Sequence, residues 1–290
     1  MLPLNSLSLI RFTGPDARSF LQGQLSNDLN TLTANQSLLA SCNSAQGRVQ
    51  AIVRLIQREQ DIMALLPRSM IDVTVARLRK YTLRAKLSIE DASESTQVNW
   101  ADRSDLLRHG WPIPDLAGEH RQQDGISVLR WTDGHQERFL VLQPGTTGAD
   151  DPAAENRWQL AEIRAGLPQV MPETHEQFVA QMLNLDVLGG ISFNKGCYTG
   201  QEIIARAHFR GTVKRRMFRF EASCTAPAPG TKILSNGETA GEVVMAANDG
   251  TRCELLAVIS LAASEAVLSL ESTDTTLKAL PLPYNLPATS

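Results

Sequence analysis

Apolar and polar positions alternate in SLSLIRFTG, and the alternation stops at Gly14, so the pattern predicts a strand there. The period then changes. In GPDARSFLQGQLSNDLNTL, Phe20, Leu21 and Leu25 fall on one helical face, with Pro15 near the first turn. Gly23 weakens that helix by roughly 1 kcal/mol relative to alanine. SLLASCNSAQGRVQAIVRLIQRE predicts two strands around a turn at Asn43 to Gly47, and DIMALLP predicts another. Helical spacing returns in SMIDVTVARLRKYTL, where Ile71, Val75 and Leu78 recur and Ser69 with Asp72 has capping-box spacing. AKLSIED predicts a strand again. The order β-α-β-β-β-α-β implies an α+β layer architecture.

Further on, SVLRW and ERFLVL predict paired strands around TDGHQ, and PGTTGADDPAAEN reads as a loop by its Gly, Pro and Asp content. NRWQLAEIRAG predicts a helix that stops at Gly166, with Pro168 beyond it. After residue 212 the helical pattern ceases. KRRMFRFEAS, TKILS, TAGEVVMAA and CELLAVISL predict strands, with a tight turn at Asn236-Gly237. Consecutive short strands imply a small sandwich or barrel. The expected boundary lies near Thr212, separating region 1–212 from region 213–290. No internal repeat or low-complexity segment interrupts either region.

Composition narrows this little: 42% hydrophobic and 20% charged residues in 290 describe an ordinary globular chain. Charge changes more. At a formal net charge of -3 no global field draws the protein to nucleic acid, so any polyanion must meet a local patch. Two acid-free runs supply candidates: Arg77, Arg79, Lys80, Arg84 and Lys86, and Arg206, Arg210, Lys214, Arg215, Arg216 and Arg219. Each is a solvated face or a polyanion contact. Cys42, Cys197, Cys224 and Cys253 form no C-x-x-C pair, which argues for a reducing compartment rather than a disulfide scaffold or zinc site. The start lacks a signal-peptide pattern and no apolar run reaches membrane-span length, so a cytoplasmic protein is expected. The five histidines lack metal-site spacing, and no metal is expected. Neither G-x-G-x-x-G nor G-x-x-x-x-G-K is present.

The candidate chemistry sits in KGCYTGQE. Thr199 and Glu202 have capping-box spacing ahead of Ile203 and Ile204, which predicts a helix starting at Thr199. Cys197 then precedes a helix N-terminus, where partial positive charge and Lys195 favour a thiolate while Glu202 opposes it. Gly196 and Gly200 allow close backbone approach. The residues leave two readings of Cys197: a small residue packed in a turn, or a nucleophile or ligand-facing thiol. His208 alone follows nearby, which supports a Cys-His hydrolase only weakly.

LGGISFNKGCYTGQEIIARAHFRG closely resembles the signature of the YgfZ family, folate-binding proteins related in fold to the glycine-cleavage aminomethyltransferase. FTGPDARSFLQGQLSNDL, IRAGLPQV and PLPYNL resemble further family segments, so the likeness spreads over nearly the whole chain. It implies an aminomethyltransferase-like fold, with two intertwined folate-binding subdomains in 1–212 and a small C-terminal β-barrel in 213–290. It also implies a monomer that uses tetrahydrofolate to support iron–sulfur enzymes, including those that methylthiolate tRNA. Lys195, Gly196, Cys197, Tyr198, Gly200, Gln201 and Glu202 match the signature in place. By resemblance Cys197 and Lys195 carry the chemistry. Tyr198, Gln201, Glu202, Arg206, Gln22, Gln24, Asp28 and Trp158 serve the folate, the indole as a stacking surface for a flat pterin. The last four are also readable as an ordinary helix face, cap and core. Two departures stand out. Leu7 occupies the place of a second family tryptophan, and the hairpin NSAQGRVQ offers Gln46, Gly47 and Arg48 without the acid that aminomethyltransferases carry there. Aminomethyl transfer is therefore not expected. Three readings follow: a folate-binding accessory factor, a one-carbon transferase with Cys197 as nucleophile, and a tRNA- or protein-binding module using the cation runs.

Overall fold

The computed structural model describes residues 1–132, 137–146, 148–211, 213–271 and 273–287. The first part of the chain runs β1 (Leu2–Pro3), β2 (Leu7–Thr13), α1 (Ala17–Gln24), β3 (Leu38–Asn43), β4 (Val49–Arg58), β5 (Asp61–Pro67), α2 (Ile71–Arg79), β6 (Ser88–Asp91), β7 (Thr96–Ala101), α3 (Arg103–His109), β8 (His120–Gln123), β9 (Ile126–Thr132) and β10 (Arg138–Pro144). The rest runs α4 (Pro152–Arg164), α5 (Gln201–Phe209), β11 (Arg215–Ala222), β12 (Lys232–Ser235), β13 (Glu238–Asp249), β14 (Arg252–Ser260), β15 (Ser269–Leu270) and β16 (Lys278–Leu280). This is the α+β class that the alternating periods imply. The chain divides into two discontinuous units. One holds Met1–Cys42, Ala51–Glu155 and Ile191–Thr199; the other holds Asn43–Gln50, Asn156–Gly190 and Gly200–Ser290. Thr212, where a boundary is expected, lies outside the described residues, as does most of the TDGHQ turn.

The first unit carries two five-stranded sheets, ordered β3-β4-β5-β2-β6 and β1-β7-β10-β9-β8. Strand β2 pairs antiparallel with β5 and β6. Its run Leu7 to Ile10 is buried on both faces, as an inner strand requires. Helix α1 buries Phe20 and Leu21 of its predicted stripe together with Ala17, whereas Leu25 is buried beyond the helix end; α2 buries the predicted Ile71, Val75 and Leu78 together with Thr74. Three boundaries differ. Helix α1 ends at Gln24 and the chain goes extended at Leu25, because carbonyls that would continue the helix are taken by the distant Lys195 ammonium. Helix α2 lacks the predicted capping box: a 3-10 turn at Arg68–Met70 leads into it, placing Ser69 inside the turn and Met70 at the cap. Helix α4 begins at Pro152, inside the predicted loop, since the Asp151 carboxylate accepts the Ala154 N–H at 3.0 Å and proline suits a first helical position. Helix α3 went unpredicted, although Asp102 and Asp105 form a capping box and Gly110 closes it.

The second unit carries a six-stranded antiparallel sheet, β15-β12-β13-β14-β11-β16. The predicted Asn236-Gly237 turn joins β12 to β13 with both residues left-handed, at φ 51 and 81. Phe220, Ile233, Val243, Leu255, Ile259 and Leu270 belong to one buried cluster against this sheet. Among the described residues no helix is long and apolar enough to cross a membrane.

Candidate functional site

In the first unit the cysteine loop is laced to the end of α1. Lys195 is buried, and its Nζ donates to the carbonyls of Gln22 at 2.6 Å, Leu25 at 2.8 Å and Asn27 at 2.8 Å. An ammonium has three donors, and all three are spent here. Helix-end carbonyls lack intrahelical partners and carry the negative end of the dipole, so a lysine is a fitting terminator. The Tyr198 ring lies 5.0 Å from the same nitrogen. Burial pulls the Lys195 ammonium down to about 8 while Asp28 opposes that shift, which leaves it charged at neutral pH. The loop is bonded at both ends as well: Ser192 N–H to the Ser26 carbonyl at 3.0 Å, and Thr199 N–H to the Gly23 carbonyl at 3.3 Å. This geometry gives Lys195 an anchoring role and leaves Cys197 exposed.

The predicted polar residues of the N-terminal segment gather beside the anchor. Gln22 donates to Asp28 Oδ1 at 2.9 Å and accepts the Leu29 N–H at 2.7 Å. Asp28 caps the 3-10 turn Leu29–Thr31. The Asn30 N–H holds its carboxyl below the ordinary range; Gln22 and Lys195 act the same way, against burial. Gln24 is turned to other work, accepting from Arg77 Nη1 at 2.7 Å. A Cβ added at Gly23 or Gly196 would meet nothing within 4 Å, so open space flanks the loop. Leu7 is buried in β2 opposite Pro67 and presents no surface.

In the second unit the chain enters α5 through Gly200 at φ +83, where a Cβ would meet the Ser44 carbonyl at 2.5 Å and Gly47 Cα at 3.0 Å. Only glycine satisfies both the conformation and the approach. The predicted Thr199–Glu202 capping box is therefore replaced: Gly200 is the cap and α5 starts at Gln201. Gln201 is half-buried, while Glu202 and Arg206 are exposed on the first and last turns. The hairpin tip facing α5 carries no acid. At its base Glu176, which no sequence signal marked, accepts from Gln50 Nε2 at 2.6 Å. Trp158 is 3% exposed on α4, so its indole is part of the core. The second cation run splits. Arg216 pairs with Asp186 at 2.7 Å and Arg219 with Glu254, whereas Arg206, Arg210, Lys214 and Arg215 are exposed. Tyr284 of the PLPYNL tail donates to the Gly166 carbonyl of IRAG at 2.8 Å, joining two segments that the sequence picks out separately. All four cysteines are free, yet Cys224 and Cys253 lie 3.8 Å apart, a proximity invisible in their spacing.

No family profile matches the chain. It is 33% identical over 246 residues to the tRNA-modifying protein YgfZ of Cronobacter sakazakii, spanning 80% of this chain and 74% of that one. It is 30% identical over 305 residues to the tRNA-modifying protein YgfZ of Klebsiella pneumoniae, spanning 99% and 93%. Among solved structures, the glycine cleavage system aminomethyltransferase T of Bartonella henselae matches with a TM-score of 0.76 over 97% of this chain and 85% of that one. The identity there is 16%, so that likeness is one of fold.

Proposed function

The chain belongs to the YgfZ family, and from that premise we propose that it is a tetrahydrofolate-binding accessory factor in tRNA modification that supports iron–sulfur enzymes such as those that methylthiolate tRNA. The observation that carries the reading is the anchored loop. Three carbonyl bonds fix Lys195, and two residues later an exposed thiol stands in space left open by Gly23 and Gly196. A rigid presentation of this kind suits a thiol that meets a ligand.

The residues fit a reduced folate. The amino edge of a pterin offers paired donors, and an ionised carboxylate is their natural acceptor. Asp28 is held ionised, with the Gln22 amide and the Asn30 N–H both donating to its Oδ1. Trp158 is enclosed in the core of the second unit, which speaks against an open stacking surface there. The acid-free hairpin tip leaves methylene transfer without a proton carrier, which favours the accessory role over a one-carbon transferase.

The test is anaerobic calorimetry with tetrahydrofolate. Wild type should bind, Asp28→Asn should weaken binding roughly tenfold, and Cys197→Ala should bind normally. The Cys197→Ala protein should nevertheless fail to restore tRNA methylthiolation in a strain lacking the wild-type gene. For the tryptophan, Trp158→Phe is the informative variant, since alanine would cost roughly 3–5 kcal/mol of core packing. An intact protein that gives no heat with tetrahydrofolate would overturn the reading.

A further inference from the structure

The second unit contains a cleft of about 550 Å³ where the end of α5, the start of β11 and the end of β14 meet. Its volume falls in the roughly 300–1,000 Å³ range of sites that take small organic groups. Gln181 lines it at 1% exposure. Its Nε2 is bonded to the Ile204 carbonyl at 2.6 Å, and its Oε1 has no partner in the protein. A buried acceptor left alone is costly, so an occupant that brings a donor would be favoured there. Val213 and Leu261 give the wall apolar surface, and Lys214 stands on the lining with its side chain open to solvent.

The segments that form the cleft carry a run of exposed cations. Arg206, Arg210, Lys214 and Arg215 are exposed, and no acid occurs in the sequence between Glu202 and Glu221. Asp186, which also lines the cleft, is neutralised by the two-pronged Arg216 pair at 2.7 and 2.8 Å. At the end of α5, Phe209 is 67% exposed and meets His208 edge-on at 4.7 Å between ring centroids. A large exposed aromatic among cations, beside a cleft with an orphan acceptor, is an arrangement suited to an unpaired nucleic-acid strand. Phosphates meet the cations, a base stacks on the ring, and a neighbouring base enters the cleft with its amino or imino N–H toward Gln181.

We infer that the α5–β11 face of the second unit binds single-stranded RNA, with phosphates on Arg206, Arg210, Lys214 and Arg215, one base stacked on Phe209 and one in the Gln181 cleft. An acidic peptide would use the cations and ignore the ring and the cleft; duplex RNA would reach the cations alone. The inference does not depend on folate. Loss of RNA binding would leave tetrahydrofolate calorimetry unchanged, and an inert calorimetry trace would leave this face as it is.

The experiment is fluorescence anisotropy of a labelled single-stranded RNA of about twelve nucleotides, a span matching single-strand site sizes, over a salt series. With four phosphate contacts the logarithm of affinity should fall with a slope of roughly -3 against the logarithm of salt. Arg210→Glu with Arg215→Glu should reduce affinity at least tenfold and cut that slope to about half. Phe209→Ala should weaken binding roughly tenfold with the slope unchanged. All three positions are exposed, so these variants should melt as wild type does. No binding at low salt, equal binding of duplex RNA, indifference to Phe209→Ala, or displacement by poly-glutamate at equal charge would each overturn the inference.

Discussion

A buried ammonium two residues from an exposed thiol gives each side chain of the loop a separate measurable property. Cys197 is open to reagent and Cys224 is half-buried, while burial pushes the Cys42 thiol up to about 11 and the Cys253 thiol up to about 12. Alkylation needs the thiolate and access. Timed labelling of the native protein, read by mass spectrometry, should therefore modify Cys197 first and Cys42 and Cys253 only after unfolding. Early labelling of Cys42 would contradict the buried sheet. Lys195→Met removes three charge-assisted bonds at once and strands carbonyls at the end of α1. It should cost about 3 kcal/mol in urea unfolding, and a cost under about 1 kcal/mol would mean the ammonium does not anchor the loop. His120 supplies the pH dependence. Its ring is fully buried, its Nδ1 faces the Ala34 carbonyl at 3.2 Å, and burial pushes it down to about 4, with Arg58 adding in the same direction. Between about 6.5 and about 4 the unfolded chain binds this proton and the folded one does not, so stability is complete above the window and lost as pH falls through it. The loss should approach about 3 kcal/mol, and His120→Gln should flatten that part of the urea-midpoint profile.

Glycine placement decides what the helices beside the loop tolerate. Gly200 needs its positive φ and lies against the Ser44 carbonyl, so Gly200→Ala meets both backbone strain and a clash. It should lose at least about 2 kcal/mol in thermal unfolding. Gly23 in α1 is the contrasting case, with ordinary helical backbone and no atom near the methyl that alanine would add. Gly23→Ala should raise stability by up to about 1 kcal/mol. If it also weakens tetrahydrofolate binding, the space beside Cys197 is used by the ligand; a stabilised variant with unchanged affinity would remove that space from the site. The same pair of positions shows what the sequence could convey. Local period was enough for β2, β5, α2 and the Asn236-Gly237 turn, because burial of their stripes depends on nothing distant. It misled at Thr199–Glu202 and at Ser69–Asp72, where cap-forming residues were present but a neighbouring hairpin in one case and a 3-10 turn in the other fixed the backbone first. The motif named Cys197 and Lys195, yet the use of Lys195 as a helix terminator depends on carbonyls some 170 residues away in sequence, which no local pattern encodes.

Over the whole molecule, the change of texture after residue 212 was legible as a change from mixed elements to strands alone, but the connections of the terminal sheet to earlier segments were not. Asn184 Nδ2 donates to the Met217 carbonyl at 2.8 Å, and Arg216 takes its acceptors from Gln181 and Asp186. Arg164 reaches Glu254 at 2.6 Å, and Asn156 exchanges two bonds with Asn248. All of these partners fall within the second compact unit, which gathers Asn156–Gly190 with the sheet. A fragment starting at residue 213 would keep the cluster of Phe220, Ile233, Val243 and Leu255 but lose every one of those partners. Its Arg216 guanidinium would lose its Asp186 counter-charge and its Gln181 acceptor, in a piece of under about 80 residues whose core supplies little surplus. Fragment 213–290 should therefore unfold without a cooperative transition, whereas fragment 156–290, which restores Arg164, Gln181, Asn184 and Asp186, should melt as a unit. Circular-dichroism melting of the two fragments decides it. A sharp transition in 213–290 at the temperature seen for 156–290 would make the terminal sheet an autonomous domain, and the ties to Asn156–Gly190 would then be accessory to its stability.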